Sequence, residues 1–250
     1  MLFPFLTRRR RVRLLGRALE ASLHGCIVSG FAAQQGLSAP ETEKLLGLAR
    51  ILVAEKHWEG CGGLVLTDQI THVIAAQAAL LILGVDGDVV SAPVFPNVRT
   101  ILVYPSAYAV PGTRPHTQAH LPELRAGEAY FNGPIILSWD DAKRGCYDSR
   151  DGRNVVFHEF AHALDMLNGF VDGTPPLPGE TAAATWREVM TSEYGRLIAD
   201  EAHGTPTVLD TYGATNPAEF FAVATENFFE RPRLLRERHP ELYGLLRMYY

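Results

Sequence analysis

Val155-Val156-Phe157-His158-Glu159-Phe160-Ala161-His162-Ala163-Leu164-Asp165 is the stretch on which the reading of this chain turns. It contains His-Glu-x-x-His. In a helix, residues four apart stand one turn above the other on the same face. The imidazoles of His158 and His162 can therefore converge on one cation, about 2.0–2.1 Å from each nitrogen. Glu159, beside the first histidine, can then reach a water on that cation. The pattern alone is only moderately specific: with nine histidines in the chain, chance produces it in roughly one such sequence in fifty. Its neighbours sharpen it. Val155, Val156, Phe157, Ala161 and Leu164 make the segment apolar, which suits a buried metal-bearing helix better than a solvated surface one. Asp165 lies a further turn beyond the histidine pair, so it reads as a support for the histidines or as helix packing, not as a ligand.

A catalytic zinc takes three protein ligands and keeps one position open. The third should be a Glu, Asp or His on a separate buried element, and Glu219 fits best. It lies in Tyr212-Gly213-Ala214-Thr215-Asn216-Pro217-Ala218-Glu219-Phe220-Phe221-Ala222. A carboxylate among Ala218, Phe220, Phe221 and Ala222 is costly to bury unpaired, and a metal removes that cost. The competing reading turns Glu219 to solvent and the aromatics to the core. Glu226, two turns on, is either a support for the site or exposed. Tyr212 is a candidate donor to a developing oxyanion, against the plainer reading of a structural tyrosine. The absence of an evident fourth ligand favours a catalytic over a closed structural site.

Working outward, residues 10–24 and 40–57 carry apolar positions at three-to-four spacing and predict helices, the second with Ser38 and Pro40 at its start. Gly60-Cys61-Gly62-Gly63 breaks the chain. Thr67 or Asp68 should cap an apolar core helix to about Leu83. Arg99 to Tyr104 and Ala129 to Leu137 read as strands, separated by a loop rich in proline. Helices follow over about Arg153 to Asn168, Glu180 to Glu201 and Asn216 to Phe229, and two short helical pieces finish the chain. The expectation is an α+β fold, mostly helical with a small central mixed sheet, built as one domain over 1–250 with a helical segment, 1–55, packed on a core of 56–250.

Composition narrows the setting. The formal net charge is -5 with 47% hydrophobic residues, so a sizeable core is expected and nothing points to direct nucleic-acid binding. The basic run Arg8, Arg9, Arg10, Arg11, Arg13 reads as a solvated helix start, with an acidic partner as the alternative. The order of charge and apolar residues at the N-terminus is wrong for a secretion signal, and no window is long and apolar enough for a membrane span. Cys26, Cys61 and Cys146 form no CxxC pair and read as reduced thiols of a cytoplasmic protein. His57, His72, His116, His120, His203 and His239 read as ordinary core or surface histidines. His116 and His120 also stand four apart, in a loop between Pro115 and Pro122 that could gate a site.

Beyond these local readings, HEFAHALDMLNG, YGATNPAEFFAVATENFFERP and HPELYGLLRMYY closely resemble the Mlc titration factor A family of bacterial zinc peptidases, and so do EKHWEGCGGLVLTD, IAAQAALLILG, ILVYP and GPIILSWDD. The resemblance runs from about Glu55 to Tyr250. It is loose over the first fifty residues and weak over Val110 to Leu121. At the metal site the family is similar to the catalytic domain of anthrax lethal factor. The resemblance implies a zincin-like metallopeptidase fold and one Zn²⁺ on His158, His162 and Glu219. It also implies Glu159 as base and Tyr212 near the oxyanion. It implies aminopeptidase-like hydrolysis of peptides. As a partner it implies the transcriptional repressor Mlc, whose removal from its operators raises glucose phosphotransferase expression.

Overall fold

The computed structural model describes residues 3–17, 31, 35–85, 87–110, 123–148 and 150–250. His116, His120, Cys26 and the loop around the two histidines lie outside the described residues.

Helix α1 (Phe3–Leu15) begins seven residues earlier than the apolar spacing predicts and stops sooner; the rest of the expected 10–24 helix, from residue 18, lies outside the described residues. Arg8, Arg9, Arg10 and Arg13 are exposed, as a solvated helix start requires, and Arg11 is the exception. Arg11 is 8% exposed and grips both oxygens of Glu55 at 2.7 and 2.8 Å, while its third nitrogen donates to the carbonyls of Val90 and Ala92. Arg8 pairs with Asp88 at 3.3 Å, and Arg10 donates to the carbonyl of Ala54. Breaking a buried guanidinium–carboxylate pair costs about 3–5 kcal/mol, so Arg11 fastens α1 to the body.

Helix α2 (Ala39–Glu55) opens on a capping box, in which the Ser38 amide donates to the Glu41 carboxylate at 2.8 Å. It ends two residues before the sequence suggests because His57 already belongs to strand β1 (His57–Gly60). Thr67 caps α3 (Asp68–Leu80), accepting from the amide of Ile70, and α3 packs along α2. Strand β2 (Thr100–Tyr104) appears where its β-rich run predicts. Strands β3 (Tyr108–Val110) and β4 (Glu123–Arg125) form a separate antiparallel ribbon.

The single strand expected over Ala129–Leu137 is two strands: β5 (Gly127–Ala129) and β6 (Ile135–Ser138), paired antiparallel. Asn132, at φ 53°, and Gly133 turn the chain between them, and the Gly133 amide closes the turn on the Tyr130 carbonyl. The main sheet runs β1-β2-β6-β5. Its first two pairings are parallel and the last is antiparallel, so the sheet is mixed and β5 lies at its edge.

Helix α4 (Trp139–Tyr147) follows β6 without a loop and was hidden behind that strand-like run. Then come α5 (Val155–Asp165), α6 (Gly179–His203), α7 (Pro217–Glu230), α8 (Pro232–Arg238) and α9 (Pro240–Tyr249). Helix α5 lies between β5 and β6 on one side and α7 on the other. Phe157 and Phe160 anchor it, both fully buried, against Phe229 and Phe95 at ring distances of 5.1 and 4.7 Å. Each contributes about 1.5–3 kcal/mol of burial. No helix among the described residues is long and apolar enough to cross a membrane.

Candidate metal centre

Asn154 starts the helix that carries the two histidines: its side-chain oxygen accepts from the amides of Val156 and Phe157 at 3.1 and 3.0 Å. From there His158 and His162 point from one face, with Nε2 atoms 3.3 Å apart. Glu219 comes from the first turn of α7, where Asn216 caps the helix by accepting from the Glu219 amide itself at 3.0 Å. Glu219 Oε2 lies 2.9 Å from His158 Nε2 and 3.3 Å from His162 Nε2. Three donors about 2.0–2.1 Å from one tetrahedral ion stand roughly 3.3–3.4 Å from one another. Two sides of the observed triangle have that length and the third, 2.9 Å, is shorter, so these residues fit a metal ion after a small shift of the Glu219 carboxylate. Among the described residues they are the one group of His, Cys, Asp or Glu side chains close enough together to hold one.

The triangle opens on a cavity of about 800 Å³, lined also by Glu159, Tyr212, Arg125, Glu128, Arg153 and Asp210. A family model described as glucose-regulated metallo-peptidase M90 matches residues 5–250. The chain belongs to the M90 metallopeptidase family.

That match takes in the N-terminal helix as well as the stretch from Glu55 onward that the sequence motifs cover. The chain is 42% identical over 252 residues to an uncharacterized protein of Synechocystis sp. (strain ATCC 27184 / PCC 6803 / Kazusa), an alignment covering 99% of this chain and 90% of that one. It is 33% identical over 226 residues to Mlc titration factor A of Serratia proteamaculans (strain 568), covering 86% and 81% of the two chains. Against Mlc titration factor A of Edwardsiella ictaluri (strain 93-146) it is 32% identical over 233 residues, with the same coverage. Membership in M90 implies a metal ion.

In this M90 chain the field around the triangle favours positive charge. Burial pushes the Glu219 carboxyl up, but hydrogen bonds and charge from His158 and His162 outweigh it and hold it well below the usual carboxylate range. Burial works against a charged His158, yet Glu219 and Glu226 together push its pKa well up. Carboxylates that favour a proton on the imidazole also favour a cation among the same donors.

Glu226 is no exposed residue. It is 7% exposed, takes the His158 Nδ1 at 2.7 Å, and with its other oxygen accepts from the Asn154 amide at 2.5 Å. Sequence reasoning left its role open. The signal was there in the spacing: Glu226 follows Glu219 by two helical turns and so shares its face. Asp165 is fully buried and accepts from the Gly173 amide at 2.9 Å. It closes the loop after α5 and stands outside the donor triangle.

Glu159 is 5% exposed, and burial outweighs the pull of His158 and His162 to push its pKa up to about 7. It passes so close to β5 that a Cβ on Gly127 would lie 2.5 Å from its Oε1. Tyr212 sits in a short 3-10 turn, Thr211–Ala214, capped by Asp210. Its hydroxyl donates to Glu219 Oε1 at 3.4 Å, and burial with the charges of Glu219 and Glu159 pushes it up to about 12. It therefore keeps its proton at neutral pH. The remaining described histidines are elsewhere: His72 and His203 bond to carbonyls of their own helices, His239 pairs with Glu193 at 2.6 Å, and His57 is exposed on β1.

Proposed function

We propose that this chain is a zinc-dependent peptidase of aminopeptidase-like activity, working in the cytoplasm as one zincin-like domain. In this reading His158, His162 and Glu219 hold one Zn²⁺, Glu159 is the base, and Tyr212 serves the oxyanion. The observation that carries it is the donor triangle opening on a cavity beside a protonatable, buried Glu159. Two imidazoles and a carboxylate are a donor set that suits zinc. The edge of β5, next to Glu159 through Gly127, offers an extended peptide backbone hydrogen-bonding groups beside the same cavity.

When bound, the zinc lowers the pKa of a water toward about 7 and polarises the scissile carbonyl. Glu159 takes a proton from the attacking water onto its carboxylate and then hands it to the leaving amine. Its position beside the histidines, buried against Gly127, places it for both halves of that transfer. Tyr212, still protonated, donates to the oxygen on which negative charge develops. Glu226 holds the His158 ring by Nδ1 and so fixes which nitrogen faces the triangle.

The test is zinc content by elemental analysis together with peptide-library cleavage, with and without chelator. Glu159→Gln should retain zinc and fold while cleavage falls at least 100-fold; cleavage at the wild-type rate would refute the assignment. Glu219→Ala should lose zinc on dialysis, and full retention would point to another ligand.

A second role is suggested by the relatives named Mlc titration factor A. We propose that the chain also binds an Mlc-like transcriptional repressor, without contacting nucleic acid itself. If that role is separate from hydrolysis, Glu159→Gln should bind purified repressor as tightly as wild type in a pull-down. No binding by either protein would remove this second role and leave the peptidase reading intact.

A further inference from the structure

Helix α3 is apolar over its C-terminal half, Ile74-Ala75-Ala76-Gln77-Ala78-Ala79-Leu80, and every one of these residues is buried. Gln77 is fully buried among them. An amide in such a place costs several kcal/mol unless both its ends are bonded. Both are. The Gln77 Nε2 donates to the carbonyls of Val73 at 3.2 Å and Ala142 at 3.0 Å, the second of these on α4. Its Oε1 accepts from Asn154 Nδ2 at 2.9 Å. Turning the amide over would set oxygen against two carbonyls and nitrogen against nitrogen, so its orientation is fixed.

Asn154 is equally constrained. It is 1% exposed, and its Oδ1 is committed to the first amides of α5, so its Nδ2 must face Gln77. On the far side Gly145 of α4 leaves just enough room: a Cβ there would lie 2.6 Å from Asn154 Nδ2. The main-chain amide of the same Asn154 donates to Glu226, and Glu226 takes the Nδ1 of His158. One buried chain of hydrogen bonds thus runs from a core helix to a histidine of the donor triangle.

We propose that Gln77 is a positioning residue for the metal centre, acting through Asn154 and Glu226 to fix both the start of α5 and the rotation of the His158 ring. The proposal rests on the reading of His158, His162 and Glu219 as the metal ligands. Replacing Gln77 by an apolar residue of similar length takes away the acceptor 2.9 Å from Asn154 Nδ2 and leaves it only the Glu230 carboxylate. The amide then turns toward Glu230 or keeps one N–H unsatisfied. In either case the cap, the Glu226 contact and the His158 orientation loosen together. A core residue that only fills space would have no such reach.

The experiment is zinc affinity by competition with a chromophoric chelator, and the visible absorption of the Co²⁺-substituted protein, on wild type, Gln77→Met, Glu226→Gln and His158→Ala. Loss of a group that orients a metal-bound histidine costs 10–100-fold in affinity. Gln77→Met should therefore bind zinc at least tenfold more weakly and shift the Co²⁺ bands in the same sense as Glu226→Gln. A variant with lowered thermal stability but wild-type zinc affinity and Co²⁺ spectrum would overturn the proposal. If wild type binds no zinc, or His158→Ala binds it as tightly, the ligand reading itself fails and the proposal falls with it. Should Gln77→Met not fold, Gly145→Ala crowds the same Asn154 amide from α4 while keeping Gln77, and the same two readouts apply.

Discussion

Tyr212 reaches the donor triangle through its hydroxyl, 3.4 Å from Glu219 Oε1, and through its ring, 5.9 Å from that of His158, while the residue as a whole is 54% exposed. Its removal should therefore disturb chemistry far more than structure. Tyr212→Phe is expected to lower kcat about 100–1000-fold, as for other lost oxyanion donors, with zinc content and melting temperature unchanged; steady-state kinetics on a cleaved peptide decide it, and an unaltered kcat would leave the phenol a mere hydrogen-bond partner of Glu219. Gly173 is the opposite case, a residue with no chemistry and a strict geometric demand. Its φ is 77°, and a Cβ there would meet the Pro217 carbonyl oxygen at 2.3 Å. Its amide is held by Asp165 and its carbonyl by Trp186, so it joins the end of the histidine helix to the start of the helix bearing Glu219. Gly173→Ala should cost at least about 2 kcal/mol in chemical denaturation. A loss under about 0.5 kcal/mol would show that the loop relaxes freely.

Helix α7 places Glu219, Glu226 and Glu230 at intervals of seven and four, a single stripe facing α5 and the segment that leads into it. The three carboxylates do different jobs. Glu219 faces the imidazoles, Glu226 the His158 ring and the Asn154 amide, and Glu230 accepts from the Gly152 amide at 3.1 Å. Burial, with the charges of Asp151 and Glu226, outweighs the hydrogen bonds to Glu230 and pushes its pKa up to about 8. The folded state thus keeps a proton that the unfolded chain gives up near its ordinary value of 4.5. Between those two values the folded state binds more protons, so stability falls as pH rises through the window and the loss is complete above about 8. Glu230→Gln keeps an acceptor for Gly152 and removes the titration. Denaturation midpoints from pH 5 to 8.5 should decline less steeply in this variant than in wild type; parallel curves would assign the decline to other groups.

The donor triangle joins two helices that meet only in the tertiary fold, so a metal bound there selects the folded molecule as a whole. Zinc at about a hundred times its dissociation constant should add about 2.7 kcal/mol, which for a chain of this size raises Tm by roughly 5–10 °C. Scanning calorimetry with zinc and then with excess chelator tests this, and a Tm indifferent to both would mean no metal site specific to the fold. At this scale the division between sequence and structure is clear in particular residues. The His158–Glu159–His162 spacing, a helix start at Thr67 or Asp68, the Asn216-Pro217 helix start and the β-rich run of β2 are local signals, decided within a turn or two of backbone, and the sequence alone was enough for them. It was also enough to nominate Glu219, because a carboxylate among phenylalanines asks for a partner. Reading one strand over Ala129–Leu137 passed over Asn132-Gly133, a local hairpin-turn signal that separates β5 from β6. The sequence could not tell that Arg11 is buried, that Gly127 makes room for Glu159, or that Gln77 reaches Asn154. Each of those depends on a partner dozens of residues away, and a partner's position is fixed by how helices and strands pack, which no local pattern of residues encodes.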